Sequence, residues 1–114
     1  MPHITVETSV KLAPEVKQRL AGELNAHISL IPGKVADKLM IAVVDGVFMS
    51  FGERKGEDFV HMDILMYLSA SKADKDKLVA KYTEIVGSVI GVKPGNVYIT
   101  IQELAHWGVG GMYK

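Results

Sequence analysis

Cysteine is absent from the sequence, which excludes disulfide scaffolds, thiolate zinc sites and cysteine nucleophiles. Charge of one sign is lacking too. The 13 basic side chains balance 13 acidic ones, so the electrostatic footprint of a nucleic-acid binder is missing. The longest apolar stretch that reads as one segment runs only from Leu39 to Val44, far short of the roughly 20 residues of a membrane span. Met1-Pro2-His3-Ile4-Thr5-Val6-Glu7 has neither the basic region nor the apolar core of a signal peptide. Arginine is scarce, with only Arg19 and Arg54. What is present is 48% hydrophobic content over 114 residues, enough for one core. The expectation is a single soluble, cytoplasmic domain over residues 1–114, with no nucleic-acid or membrane partner.

The apolar pattern repeats. At an offset of 58 residues His3 falls on His61, Lys17 on Lys75, Leu20 on Leu78, Gly33 on Gly91, Ile41 on Ile99 and Gly52 on Gly110. Apolar pairs such as Ile4/Met62, Val6/Ile64 and Val43/Ile101 follow the same offset. A two-fold repeat of this size is a duplicated supersecondary unit, here about 2–52 and 60–110.

Each unit reads as strand, helix, strand. Pro2–Glu7 alternates, with Ile4 and Val6 on one face. Pro14 opens a helix whose stripe is Val16, Leu20, Leu24, Ile28 and Ile31, and Pro32-Gly33 stops it before a strand at Leu39–Val44. In the second unit Val60–Leu68 is a strand, and Ser71-Lys72-Ala73-Asp74 fits a capping box. Leu78, Tyr82, Ile85, Val86 and Val89 form that helix's stripe, and Val97–Gln102 is the last strand. Asp45-Gly46 begins a polar connection that runs to Asp58. The fold class is α+β: a four-stranded mixed sheet with two helices on one face. Eleven residues are expected beneath the helices, among them Ile4, Val6, Ile41, Met62, Ile64 and Ile99. The opposite face carries Met40, Ala42, Val44, Leu65 and Tyr98, apolar surface that an oligomer would cover.

Few residues are suited to chemistry. A penultimate proline normally allows the initiator methionine to be removed, which would leave Pro2 as a secondary amine. An α-amino group titrates near 8, and an apolar site lowers that value. The competing reading makes Pro2 merely the start of an edge strand, where proline is tolerated. Lys34 is either a functional cation or a charge completing the first helix's C-terminal end. Gly108-Val109-Gly110-Gly111 precedes no helix, so it is a poor phosphate nest. His3, His27, His61 and His106 lack metal-ligand spacing, so neither metal nor other cofactor is expected. Lys72–Lys81 alternates with Asp74 and Asp76 and reads as a solvated helix face.

Taken together, the sequence resembles the tautomerase superfamily of N-terminal proline enzymes. The likeness runs over essentially the whole chain: Met1-Pro2-His3-Ile4, Gly33-Lys34, Phe48-Met49-Ser50-Phe51-Gly52, Val97-Tyr98-Ile99-Thr100 and Trp107-Gly108-Val109-Gly110-Gly111. The full length is similar to macrophage migration inhibitory factor. The second half is similar to a 4-oxalocrotonate tautomerase subunit, and Met1-Pro2-His3 with Phe59-Val60-His61-Met62 to 5-carboxymethyl-2-hydroxymuconate isomerase. The resemblance implies a homotrimer with sites between subunits and keto–enol tautomerisation of a small 2-keto acid such as phenylpyruvate. It implies that Pro2 is the base, that Lys34 holds the substrate carboxylate and that the backbone near Met66 assists. Tyr98 of a neighbouring subunit would serve as acid or hydrogen-bond donor, Trp107 would cover the substrate, and Thr100 stands where the inhibitory factor has asparagine. Two further functions stay open: a muconate-type isomerase of aromatic degradation, and a trimeric signalling or interaction protein with vestigial activity. The scarcity of arginine favours a monocarboxylate over a dicarboxylate substrate.

Overall fold

Strand β1 (Pro2–Thr8) alternates buried and half-buried residues along its length, as a strand with one covered face should. Helix α1 (Pro14–His27) follows, with proline in its first turn and Glu15 near its N-terminus. The expected continuation of this helix to Ile31 does not occur. A 3₁₀ turn (Ile28–Leu30) replaces it, and Ile31 is extended, at φ −91° and ψ 112°. The residue before a proline is barred from helical geometry by the ring, and Pro32 imposes this on Ile31. Ile28 and Ile31 are buried nonetheless, so the stripe survives the change of helix type. A second 3₁₀ turn (Ala36–Lys38) leads into β2 (Met40–Val44).

The second pass repeats these positions in the computed structural model, which describes residues 1–114. Strand β3 (Val60–Tyr67) and helix α2 (Lys72–Val89) start 58 residues after β1 and α1, at positions 60 and 72 against 2 and 14. Ser71 caps α2 as its motif predicts, the hydroxyl accepting from the Asp74 amide at 3.1 Å. Strand β4 (Val97–Leu104) runs two residues further than expected. Its extension anchors the β3–α2 turn: Leu104 O accepts from Leu68 N at 2.7 Å, and Glu103 accepts from Ala70 N at 2.8 Å. Those two bonds hold Leu68 at φ 70°, a left-handed conformation that ends β3 one residue early.

The sheet order is β2-β1-β3-β4, with β1/β2 and β3/β4 parallel and β1/β3 antiparallel, so Pro2 opens a central strand and not an edge strand, tolerated there because it is the strand's first residue. The sheet is therefore mixed and built from two β-α-β passes, with both helices on one face. All eleven expected helix-facing residues lie in the core or pack against it. Burial is complete only on the two central strands, at Ile4, Val6, Met62, Ile64 and Met66, because two helices span little more than the middle of four strands. Each such side chain contributes about 1.5–3 kcal/mol. Tyr82 ties the helices together: buried in α2, it donates to Leu24 O of α1 at 2.8 Å.

The glycine-rich tail forms a hairpin that the sequence reading missed. Strands β5 (Gly108–Val109) and β6 (Met112–Tyr113) pair across Gly110-Gly111, both at positive φ. That conformation suits a two-residue hairpin turn, so these glycines serve a turn. The open face of the sheet also differs from expectation. Met40, Val44 and Tyr98 are exposed on it, but its centre is polar. His61 bridges Glu7 (3.1 Å from Nδ1) and Thr100 (3.0 Å from Nε2), and Thr100 donates to Asp63 at 2.7 Å. The Thr100 hydroxyl is the main reason the Asp63 carboxyl lies below its ordinary range, with burial opposing and Gln102 assisting.

Candidate active site

Pro2 lies at the end of the sheet where β1 and β2 begin and β3 finishes. It is buried, opposite Met66 in the β1/β3 register. The Met66 side chain points into the core with no exposure, so only its backbone faces the start of β1. The next residue along β3, Tyr67, links Met1 to Lys34. Tyr67 N donates to Met1 O at 3.2 Å, and Lys34 Nζ donates to Tyr67 O at 2.7 Å. Lys34 reaches this point because Gly33, at φ 84°, turns the chain after the first helix. It is thus half-buried beside the head of β1, and its ammonium bonds the end of β3 instead of the carbonyls of its own helix.

Two cavities flank the head of β1. One, of about 470 Å³, is lined by Lys34, Tyr67, Leu68 and the N-terminus of α2. The other, of about 810 Å³, is lined by Pro2, His3, Lys38, Met40, Leu65, Trp107 and Lys114. Met1 belongs to both walls. The hairpin places Trp107 here, its backbone paired in both directions with Lys114. The chain's terminal amine is held below its usual value of 8.0, first by burial and then by the positive charges of Lys34, Lys114 and Lys38.

Tyr98 and Thr100 stand apart from this group. Tyr98 pairs in register with His61, five residues along β3 from Met66, or roughly 16 Å at strand rise. It is 61% exposed and packs on Phe51, their ring centroids 4.9 Å apart, while the Arg54 guanidinium lies 3.7 Å over the other ring. Thr100 is committed to His61 and Asp63. One chain therefore gathers Pro2, Lys34, Trp107 and the Met66 backbone at one end of the sheet, with Tyr98 and Thr100 further along it. Lys38 and Lys114 were missed from the sequence. Lys38 precedes β2, where a loop cation carries no pattern, and Lys114 arrives only through the hairpin.

The fold has close counterparts. The family model for macrophage migration inhibitory factor matches residues 1–112. The chain belongs to that family. The structure of Leishmania major MIF2 superposes with a TM-score of 0.92 at 17% identity, covering 100% of this chain and 97% of that one. A fused 4-OT wild-type asymmetric trimer gives 0.81 at 17% identity, covering 96% and 94%. Pt0534 inactivated by 2-oxo-3-pentynoate gives 0.80 at 13% identity, covering 96% and 93%. At such identities the likeness to these structures is one of fold. A sequence comparison with curated proteins returned no match.

Proposed function

We propose that the chain is a keto–enol tautomerase acting on a small 2-keto acid, with Pro2 as general base once Met1 is removed. The observation that carries this reading is the position of Pro2, buried at the head of β1, where the terminal amine is already depressed by burial and three lysines. Removal of Met1 moves the amine one residue inward, about 3.8 Å, to that more buried position. Desolvation of the ammonium then increases, so a larger share of the amine is unprotonated at pH 7 and able to take a proton from carbon. Met1 also forms part of both cavity walls, so its loss joins them into one site with Pro2 between Lys34 and Trp107.

In the reaction Lys34 holds the substrate carboxylate, the backbone beside Met66 supports it, and Trp107 covers it. Pro2 accepts the proton from one substrate atom and returns it to another. Within one chain no tyrosine lines the cavity beside Pro2 to supply an acid. The exposed Tyr98 does so from a neighbouring subunit of a homotrimer, with Thr100 nearby. The fused 4-OT relative is described as a trimer, and Pt0534 as inactivated by a 2-keto acid; both agree with this reading.

The test compares initial rates of phenylpyruvate tautomerisation in processed protein, Met1-retaining protein and Pro2→Ala, each verified by intact mass. The processed form is expected to exceed the Met1-retaining form by at least about 10²-fold, since an amide nitrogen cannot serve as base. Pro2→Ala keeps a primary amine and a measurable fraction of the rate. Equal rates in the first two preparations would remove Pro2 from the mechanism.

A further inference from the structure

The scarcity of arginine suggests a substrate with one carboxylate, yet the structure surrounds the head of β1 with cations of another kind. Lys34 stands in the first cavity, and Lys38 and Lys114 in the second. None of the three joins any of the six ion pairs in the chain; Lys11, Lys55 and Lys77 are unpaired as well, but they line neither cavity. Lys34 bonds a neutral carbonyl instead. Asp37 is the one carboxylate side chain in the second wall, against two lysines. Like charges brought together without partners repel unless an anion enters, and a monocarboxylate would occupy Lys34 alone.

We infer that Lys38 and Lys114 form a second anion subsite, on the far side of Pro2 from Lys34, and that the substrate is a 2-keto acid bearing a second carboxylate at its other end. The inference rests on the proposed joining of the two cavities when Met1 leaves. One substrate then spans them, with its 2-keto carboxylate on Lys34, its reacting carbon beside Pro2 and its distal carboxylate on Lys38 and Lys114. Trp107 lines the same cavity as Lys38 and Lys114 and so faces the distal part of the molecule. Lysine serves here because a flexible ammonium accepts a carboxylate without the bidentate geometry of arginine. All three lysines also act on the terminal amine, so a bound dianion would offset the repulsion they impose on its protonated form.

The experiment uses processed protein and two ligands that differ in one group, phenylpyruvate and its para-carboxy derivative. The dicarboxylate is expected to have the higher kcat/KM by roughly tenfold or more, the scale of one charge-assisted contact. In Lys38→Ala and Lys114→Ala that ratio should fall towards one, and in the double variant to within twofold of one. Lys34→Ala should lower kcat/KM for both ligands and keep the preference. Calorimetric titration of both compounds gives the same comparison without turnover. Selective binding of the dicarboxylate by a protein that turns over neither ligand would overturn the tautomerase reading alone and uphold the subsite. Equal affinity for the two ligands, or a preference that survives loss of both lysines, would overturn the subsite.

Discussion

Lys34 illustrates how a residue with two sequence readings acquires a definite setting. Its position just past the first helix suits a cation at a helix terminus, a role worth about 0.3–1 kcal/mol. The structure instead sends its ammonium to Tyr67 O, the carbonyl of the residue whose own N–H donates to Met1 O. A positive charge there opposes protonation of the terminal amine, and after burial it is the largest influence on that group. The sign of a pH effect follows. A base works when unprotonated, so kcat/KM should be high above the amine's pKa and fall as pH drops through it. Lys34→Ala removes a repelling charge and raises that pKa towards the ordinary value near 8. The acid limb of the pH–rate profile should move to higher pH, and KM for a 2-keto acid should rise more than kcat falls. A profile and KM like those of the unaltered protein would leave Lys34 with a structural role.

At the scale of elements, the two passes share a plan but start their helices differently. Helix α1 relies on Pro14 in its first turn and has no side-chain cap, because Ala13 precedes it. Helix α2 relies on Ser71, whose hydroxyl accepts from Asp74 N. That turn is also fixed to β4 through Leu68 and Ala70, so the cap lies on the rim of the first cavity. Ser71→Ala should cost about 1 kcal/mol, read as a lower urea midpoint with an unchanged m-value. The hairpin at the other rim is legible only in part. Gly110-Gly111 marks a turn, but the short strands beside it lack the alternating apolar run that identifies a hairpin.

At the scale of the molecule, the open face of the sheet bears most on assembly. Met40 and Tyr98 are 68% and 61% exposed there, and Phe48 in the β2–β3 connection is 92% exposed. Apolar side chains of this size left in water favour association. The polar centre of the same face is satisfied within the chain through Glu7, His61, Thr100 and Asp63, so covering it strands few hydrogen-bonding groups. A homotrimer would bring Tyr98 of one subunit to the Pro2 of the next, across a distance that one chain does not close. Light scattering should give a mass near three times 12.4 kDa. A monodisperse monomer at micromolar concentration would contradict both the assembly and a site shared between subunits.

The periodicities of the sequence were enough to determine the four main strands, most of both helical stripes and the helix-facing side of the sheet, though Val16 stays outside the core cluster and Val60 and Val92 join it unannounced. Each follows from local rules: alternation along a strand, a 3.6-residue period along a helix, proline and glycine at the ends. The resemblance to N-terminal proline enzymes singled out Pro2, Lys34 and Trp107, which the fold brings to one end of the sheet. Only the tertiary structure decided how far Tyr98 stands from them, because distance along a neighbouring strand depends on pairing register and not on spacing in the chain. It also decided that Lys38 and Lys114 converge on the amine. The two lysines lie far apart in the sequence, without pattern, and line one cavity because β1 pairs with β2 while the C-terminal hairpin lies beside the head of both strands.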